Sequence, residues 1–289
     1  MISVDWATYT QLLALVQNSI IAAAVLGIVG GLIGVFVMQR DMAFAVHGIS
    51  ELSFAGAAAA LLLGVNVVAG SILGSLIAAG IIGVLGARAR DRNSIIGVLM
   101  PFGLGLGILF LALYPGRSGN KFGLLTGQII SVDLPQLGLL IGISALVLVS
   151  LLIIWRPLTF DSLDAEVASA RGVPGRALSI VFMILLGLAV AVSIQVIGAL
   201  LVLALLVTPA AAALRVSASP VLVPLLSMAF GLVSAVGGIL LALGGSLPIS
   251  PYITTISFAI YLVCRLIERR VKGGASRRPR VPAVAEVAR

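Results

Sequence analysis

The sequence predicts an all-α fold, a polytopic membrane helix bundle of eight to nine spans, and three observations carry that expectation. The 289-residue chain is 61% hydrophobic and only 10% charged, whereas a soluble domain carries about 25% charged residues. Apolar runs of about 20 residues recur along it, each long enough to cross a hydrocarbon core of about 30 Å as a helix. Strand-like alternation is absent, so the backbone must satisfy its hydrogen bonds within each span.

Nine segments fit this description: 11–38, 42–63, 67–87, 94–114, 135–155, 176–196, 198–214, 220–243 and 251–267. The sixth and seventh are separated only by "QVIGA", so they form either a tight helical hairpin or one bent element. The opening "MISVDWATYT" carries Asp5 and no Lys or Arg. It lacks the basic region of a cleavable signal peptide, and the first helix is expected to be kept.

Orientation follows from the Lys and Arg residues in alternate connections. With the N-terminus outside, the inner segments hold Arg40, then Arg88, Arg90 and Arg92, then Arg156, Arg171 and Arg176, then Arg215, then eight from Arg265 to the end. The outer segments hold only Arg117 and Lys121. An odd number of spans with a cytoplasmic C-terminus satisfies this asymmetry, and merging two segments breaks it. The expected organisation is a single transmembrane domain over 1–268 and a basic, disordered tail over 269–289.

The net charge of +8 is concentrated in that tail, directly after an apolar segment. There it reads as a topology signal and a contact with anionic membrane lipid. No aromatic or motif pattern of nucleic-acid binding accompanies it, so nucleic acid is not an expected partner. The lone cysteine, Cys264, has no mate in the chain for a disulfide and reads as a small packing residue.

Glycines are spaced for close helix contact. Gly27 and Gly31, Gly30 and Gly34, and Gly70 and Gly74 are each four residues apart, and Gly103, Gly105 and Gly107 crowd the fourth span. Four-residue spacing puts a flat strip on one helix face, where backbones approach closely. These strips specify a bundle and not an activity.

Two segments outside the spans stand out. Residues 115–134, "PGRSGNKFGLLTGQIISVDL", form an outer connection whose apolar middle can lie on or dip into the membrane. Residues 157–176, "PLTFDSLDAEVASARGVPGR", contain a complete short-helix signature. Asp164 can cap the start, Glu166 suits the first turn, Arg171 the last, Gly172 a left-handed stop, and Pro174 prevents continuation. A well-capped helix of about two turns on the cytoplasmic face reads as a docking element.

No hydrolytic or group-transfer site emerges. There is no Gly-rich phosphate loop and no cysteine cluster, and a single histidine allows a Ser/His/Asp triad only if His47 is part of it. Enzyme activity is therefore not expected of this chain, nor is a permanently bound cofactor.

His47 and Glu51 remain. They lie four residues apart, so on a helix their side chains share a face. Glu51 is the one acidic residue that falls inside a span, where an ionisable group costs at least about 2.5 kcal/mol on insertion scales. The pair is compatible with a structural contact, a proton relay or an ion site. One imidazole nitrogen and one carboxylate suit a borderline divalent cation such as manganese, ferrous iron or zinc. Two ligands do not close such a site, but a symmetric second chain would supply two more. Ser50 and Ser53 flank the pair and read as helix–helix hydrogen-bond donors.

At these residues the sequence resembles the permease subunits of the ABC importers that take up zinc, manganese and iron. "GLIGVFVMQRDMAFAVHGISELSFAGAAAALLLG" is similar to the family's first inner loop and second helix, with Ser50 and Gly56 at the spacing of its Ser and Gly. "LDAEVASARG" is similar to the pattern D-P-E-L-A-x-x-x-G at Asp164, Glu166, Ala168 and Gly172, which in the family docks on the ATPase. "VIGALLVLALLVTPAAAA" resembles a third motif, around Gly198 and Pro209. The family's metal-path pair is an Asp followed four residues later by a His. Carried over by position, His47 stands at the Asp and Glu51 at the His, in reversed order.

The resemblance implies a multi-pass permease of the bacterial cytoplasmic (inner) membrane, with metal ligands His47 and Glu51 and coupling residues Asp164, Glu166, Ala168 and Gly172. The implied partners are a second permease chain, most simply an identical one, a cytoplasmic ATPase dimer that binds ATP, and an extracytoplasmic metal-binding protein. Manganese, zinc or iron would be cargo. Two rivals stay open on the residues alone: a permease for iron chelates or cobalamin, and a proton-coupled secondary transporter using Glu51 as carrier.

Overall fold

A computed structural model describes residues 6–86, 89–116, 132–199, 201–243 and 249–275. Every regular element among them is a helix. In chain order these are α1 (Trp6–Leu15), α2 (Gln17–Gln39), α3 (Ala43–Leu63), α4 (Val67–Leu85), α5 (Ala89–Leu113), α6 (Leu134–Leu163), α7 (Ala165–Ala170), α8 (Gly175–Ile197), α9 (Val202–Leu206), α10 (Thr208–Val216), α11 (Leu222–Leu243) and α12 (Ile249–Ala275). Eight of them are long and apolar enough to cross a membrane: α2, α3, α4, α5, α6, α8, α11 and α12. Of the outer connection 115–134, residues 117–131 lie outside the described residues, as does the tail from residue 276.

The segment expected at 198–214 is not one long helix. It is the pair α9 and α10, broken at Val207. Pro209 carries no N–H to donate back to Leu205, so the hydrogen-bond ladder is interrupted there. Residues 202–216 rise about 22 Å, short of a hydrocarbon core of about 30 Å. The pair nevertheless makes a return leg. Leu214 and Ser219 line a cavity of about 190 Å³ with Gln39 and Leu163, so α10 ends where α2 and α6 end, the end at which α8 begins. Arg40, Asp161, Arg176 and Arg215 thus gather at one arginine-rich end of the bundle, in the alternation that the charge count predicted.

Two other boundaries differ from expectation. The first span divides at Val16, where α1 gives way to α2. The fifth continues through Pro157 to Leu163. An interior proline costs a helix about 3 kcal/mol, and here the far side is anchored twice: Asp161 pairs with Arg40 at 2.8 Å, and Asp164 caps both the end of α6 and the start of α7.

The glycine strips lie at the helix crossings. A Cβ on Gly27 or Gly31 would collide with the α11 backbone at Gly231 or Ser227, and one on Gly34 with the Leu206 carbonyl. Gly56 faces Gly70 and Gly74, so α3 and α4 touch backbone to backbone. With little hydrophobic drive between helices in lipid, such contact is what dispersion needs to hold the bundle. Gly103 and Gly107 press α5 onto α3 at Glu51 and Phe54, while Gly105 faces open space.

Candidate metal path and coupling helix

The pair sits in the first half of α3, which starts at Ala43 directly after the turn Arg40–Met42. Helical geometry brings His47 Nε2 to 3.7 Å from Glu51 Oε1. The two groups are unequally placed. Glu51 is buried, whereas 31% of the His47 side chain remains exposed on the single chain. Gly103 of α5 covers the Glu51 backbone closely enough to exclude any larger residue. Beside the pair, Ser50 donates to the Ala199 carbonyl at 2.9 Å, and Ser53 donates to the Ser71 carbonyl at 2.9 Å. Ser53 is thus a helix–helix donor, as the sequence suggested, whereas Ser50 donates to the turn that follows α8; neither bond goes to the carboxylate or the imidazole.

No group of three or more His, Cys, Asp or Glu side chains comes together among the described residues. The His47/Glu51 pair alone therefore falls short of the four ligands a first-row cation takes in a closed tetrahedral site.

The second predicted cluster forms at the arginine-rich end. Asp164 accepts from the Val167 N–H at 2.9 Å, the N-cap bond expected of it. Gly172 takes the left-handed conformation, φ +82°, that stops α7. Glu166 lies exposed in the first turn, but Ala168 is fully buried against the bundle. The four residues therefore divide: Asp164 and Gly172 shape the helix, Ala168 seats it, and Glu166 stands exposed in its first turn.

Sequence reasoning read Arg40 only as a topology charge. In the structure it is nine-tenths buried and bonded to Asp161 Oδ2 at 2.8 Å, Ser162 Oγ at 3.1 Å and Ser179 Oγ at 2.6 Å. The available signal was an Arg–Asp step in a short turn between two apolar spans, which does not name its partners.

The sequence profile of the ABC 3 transport family matches residues 13–268. The chain belongs to the ABC 3 transport family. Within it, the chain is 32% identical to the manganese transport system membrane protein MntC of Halalkalibacterium halodurans, over 77% of each chain. It is 32% identical to the manganese import system permease protein ScaB of Streptococcus gordonii, over 89% of this chain and 95% of that one. The solved structure of PsaBC from Streptococcus pneumoniae in complex with Fab superposes with a TM-score of 0.81 at 28% identity, covering 92% of this chain and 99% of the other. Membership of the ABC 3 transport family makes the chain a multi-pass transport subunit and not an enzyme.

Proposed function

We propose that this chain is the permease subunit of a bacterial ATP-driven importer for a divalent transition metal, with manganese(II) the first candidate over zinc and iron. The His47/Glu51 pair carries the reading: one nitrogen and one oxygen ligand on one helix face, the carboxylate buried and the imidazole partly exposed. A second permease chain across a two-fold axis would complete a four-ligand passage from the same two residues. The relatives that are manganese permeases favour that cargo.

The arginine-rich end would face the cytoplasm, where sixteen of eighteen basic residues then lie. There α7 would dock on an ATPase dimer through Glu166, and ATP hydrolysis belongs to that partner. An extracytoplasmic protein would deliver the ion at the opposite end. The chelate reading loses ground because a large cargo needs a wide path and no ligand pair. The proton-carrier reading requires no ATPase.

Uptake of manganese(II) into proteoliposomes containing the full importer tests this. We expect ATP-dependent uptake by the wild type and its loss in both His47→Ala and Glu51→Ala, with the ATPase still co-purifying. Wild-type rates in both variants would remove the pair from the path. Uptake driven by a proton gradient alone would favour the carrier.

A further inference from the structure

Arg40 caps the C-terminal end of α2 and stands seven positions before His47. Its guanidinium reaches the two chain segments that flank α7. On the α6 side it holds Asp161 and Ser162, the latter itself anchored to the Leu158 carbonyl at 2.6 Å. On the α8 side it holds Ser179 and lies 5.9 Å from the centre of the Phe182 ring. The Arg40 carbonyl in turn accepts from Arg92 of α5 at 3.2 Å. One side chain therefore ties both roots of α7 to the turn that starts α3.

Apolar packing joins the same helices one turn deeper, where the Phe36 ring of α2 lies 4.8 Å from Trp155 of α6 and 6.2 Å from Phe182 of α8, and Ala168 seats α7 itself; the polar tie lies nearer, at the roots of α7. A cavity of about 500 Å³ adjoins both the tie and α7, its lining including Arg40, Asp161 and Ser179 together with Ala165, Ser169 and Met42. Displacement of α7 has open space in front of it there, whereas the guanidinium fork is bonded on both sides. A planar five-donor group held by one carboxylate and two hydroxyls transmits direction as well as distance, which a single-point cation does not.

We infer that Arg40 is a positioning residue that passes movement of the coupling helix α7 to the His47/Glu51 helix, through its bonds to Asp161 and Ser162 before α7 and to Ser179 after it. This rests on the transport reading above. The Arg40 latch touches neither cargo nor nucleotide. Its removal separates ATP turnover from transport without touching either site.

The test is the ratio of ATP hydrolysed to manganese(II) taken up by the full importer in proteoliposomes, with co-purification of the ATPase and the melting temperature recorded in parallel. In Arg40→Gln the ratio should rise at least about tenfold, within the usual range of coupling between sites, with assembly unchanged. Ser179→Ala, which cuts only the α8 side and keeps the ion pair, should raise it a few-fold. Arg40→Lys should fall between wild type and Arg40→Gln, because an ammonium cannot span both arms.

A normal ratio in Arg40→Gln and Ser179→Ala overturns the latch and leaves the transport reading standing. So does an equal fall of hydrolysis and uptake together with a lowered melting temperature, the mark of a structural role alone. If Arg40→Gln does not assemble, Ser179→Ala and Arg40→Lys decide on the same ratio. Absence of manganese(II) uptake by the wild type itself overturns the transport reading and the latch together.

Discussion

The described residues include two buried ionisable sites that are treated in opposite ways. At the arginine-rich end, Arg40 is held by three side chains at 2.6 to 3.1 Å. In α3, Glu51 has the His47 imidazole at 3.7 Å, with the nearby serines committed to carbonyls elsewhere. A buried ion surrounded by short bonds is fixed in place, and its removal leaves partners stranded. A buried carboxylate with a loose neighbour keeps lone pairs for something that comes and goes. The first arrangement suits transmission, the second a passing cation.

The sharpest way to break this contrast is Glu51→Gln. The amide keeps shape and hydrogen bonding but loses the anionic oxygen that a divalent cation needs. Loss of even an outer partner of a metal ligand costs about 10- to 100-fold in affinity or activity, so manganese(II) uptake should fall by about 100-fold or more in the full importer. Retention of uptake would make the pair structural. The double change His47→Asp with Glu51→His restores the carboxylate-first order and should recover uptake to within about tenfold of wild type while altering the preference between manganese(II) and zinc(II). A dead double variant that still assembles would show that one fixed arrangement of oxygen and nitrogen is required.

What was legible in the sequence followed the same division. The pair is local: four residues on one helix determine its geometry, so spacing alone brought His47 to Glu51. The cap of α7 is local too, and Asp164 and Gly172 do what their residue types and positions foretold. Arg40 binds partners 121 and 139 residues away, and no periodicity encodes which of the serines and carboxylates will face it. The break at Val207 was half legible, because Pro209 was visible, but the resemblance of the segment to a span hid its shortness. The continuation of α6 through Pro157 was hidden for the converse reason. A proline reads as a stop until the tertiary anchors beyond it are known.

A smaller effect distinguishes packing from charge around the pair. A Cβ at position 74 would overlap the Leu52 carbonyl in the turn that follows Glu51, whereas one at position 105 meets nothing. Gly74→Ala should therefore push α4 off α3 and cost about 1–3 kcal/mol, the usual penalty of overpacking, seen as a lower melting temperature in detergent. Gly105→Ala should leave it unchanged. Equal melting temperatures for the two variants would mean that the α3–α4 crossing relaxes freely and that the position of Glu51 is not set by its glycine neighbours.

The smallest expected effect uses the same end and the same residue type as the latch. Arg215 meets Glu268 at 3.5 Å with nearly half of its side chain exposed, against a tenth for Arg40. In high dielectric an exposed pair of this kind contributes about 0–1 kcal/mol, and Arg215, at the end of α10, is bonded to α12 rather than to α6 or α8. Arg215→Ala should therefore change uptake less than about twofold and leave ATP consumed per ion at the wild-type value. If it raised that ratio as Arg40→Gln is expected to, coupling would depend on positive charge spread over the whole end of the bundle. The burial and three-way bonding of Arg40 would then no longer explain why one arginine differs from its neighbours.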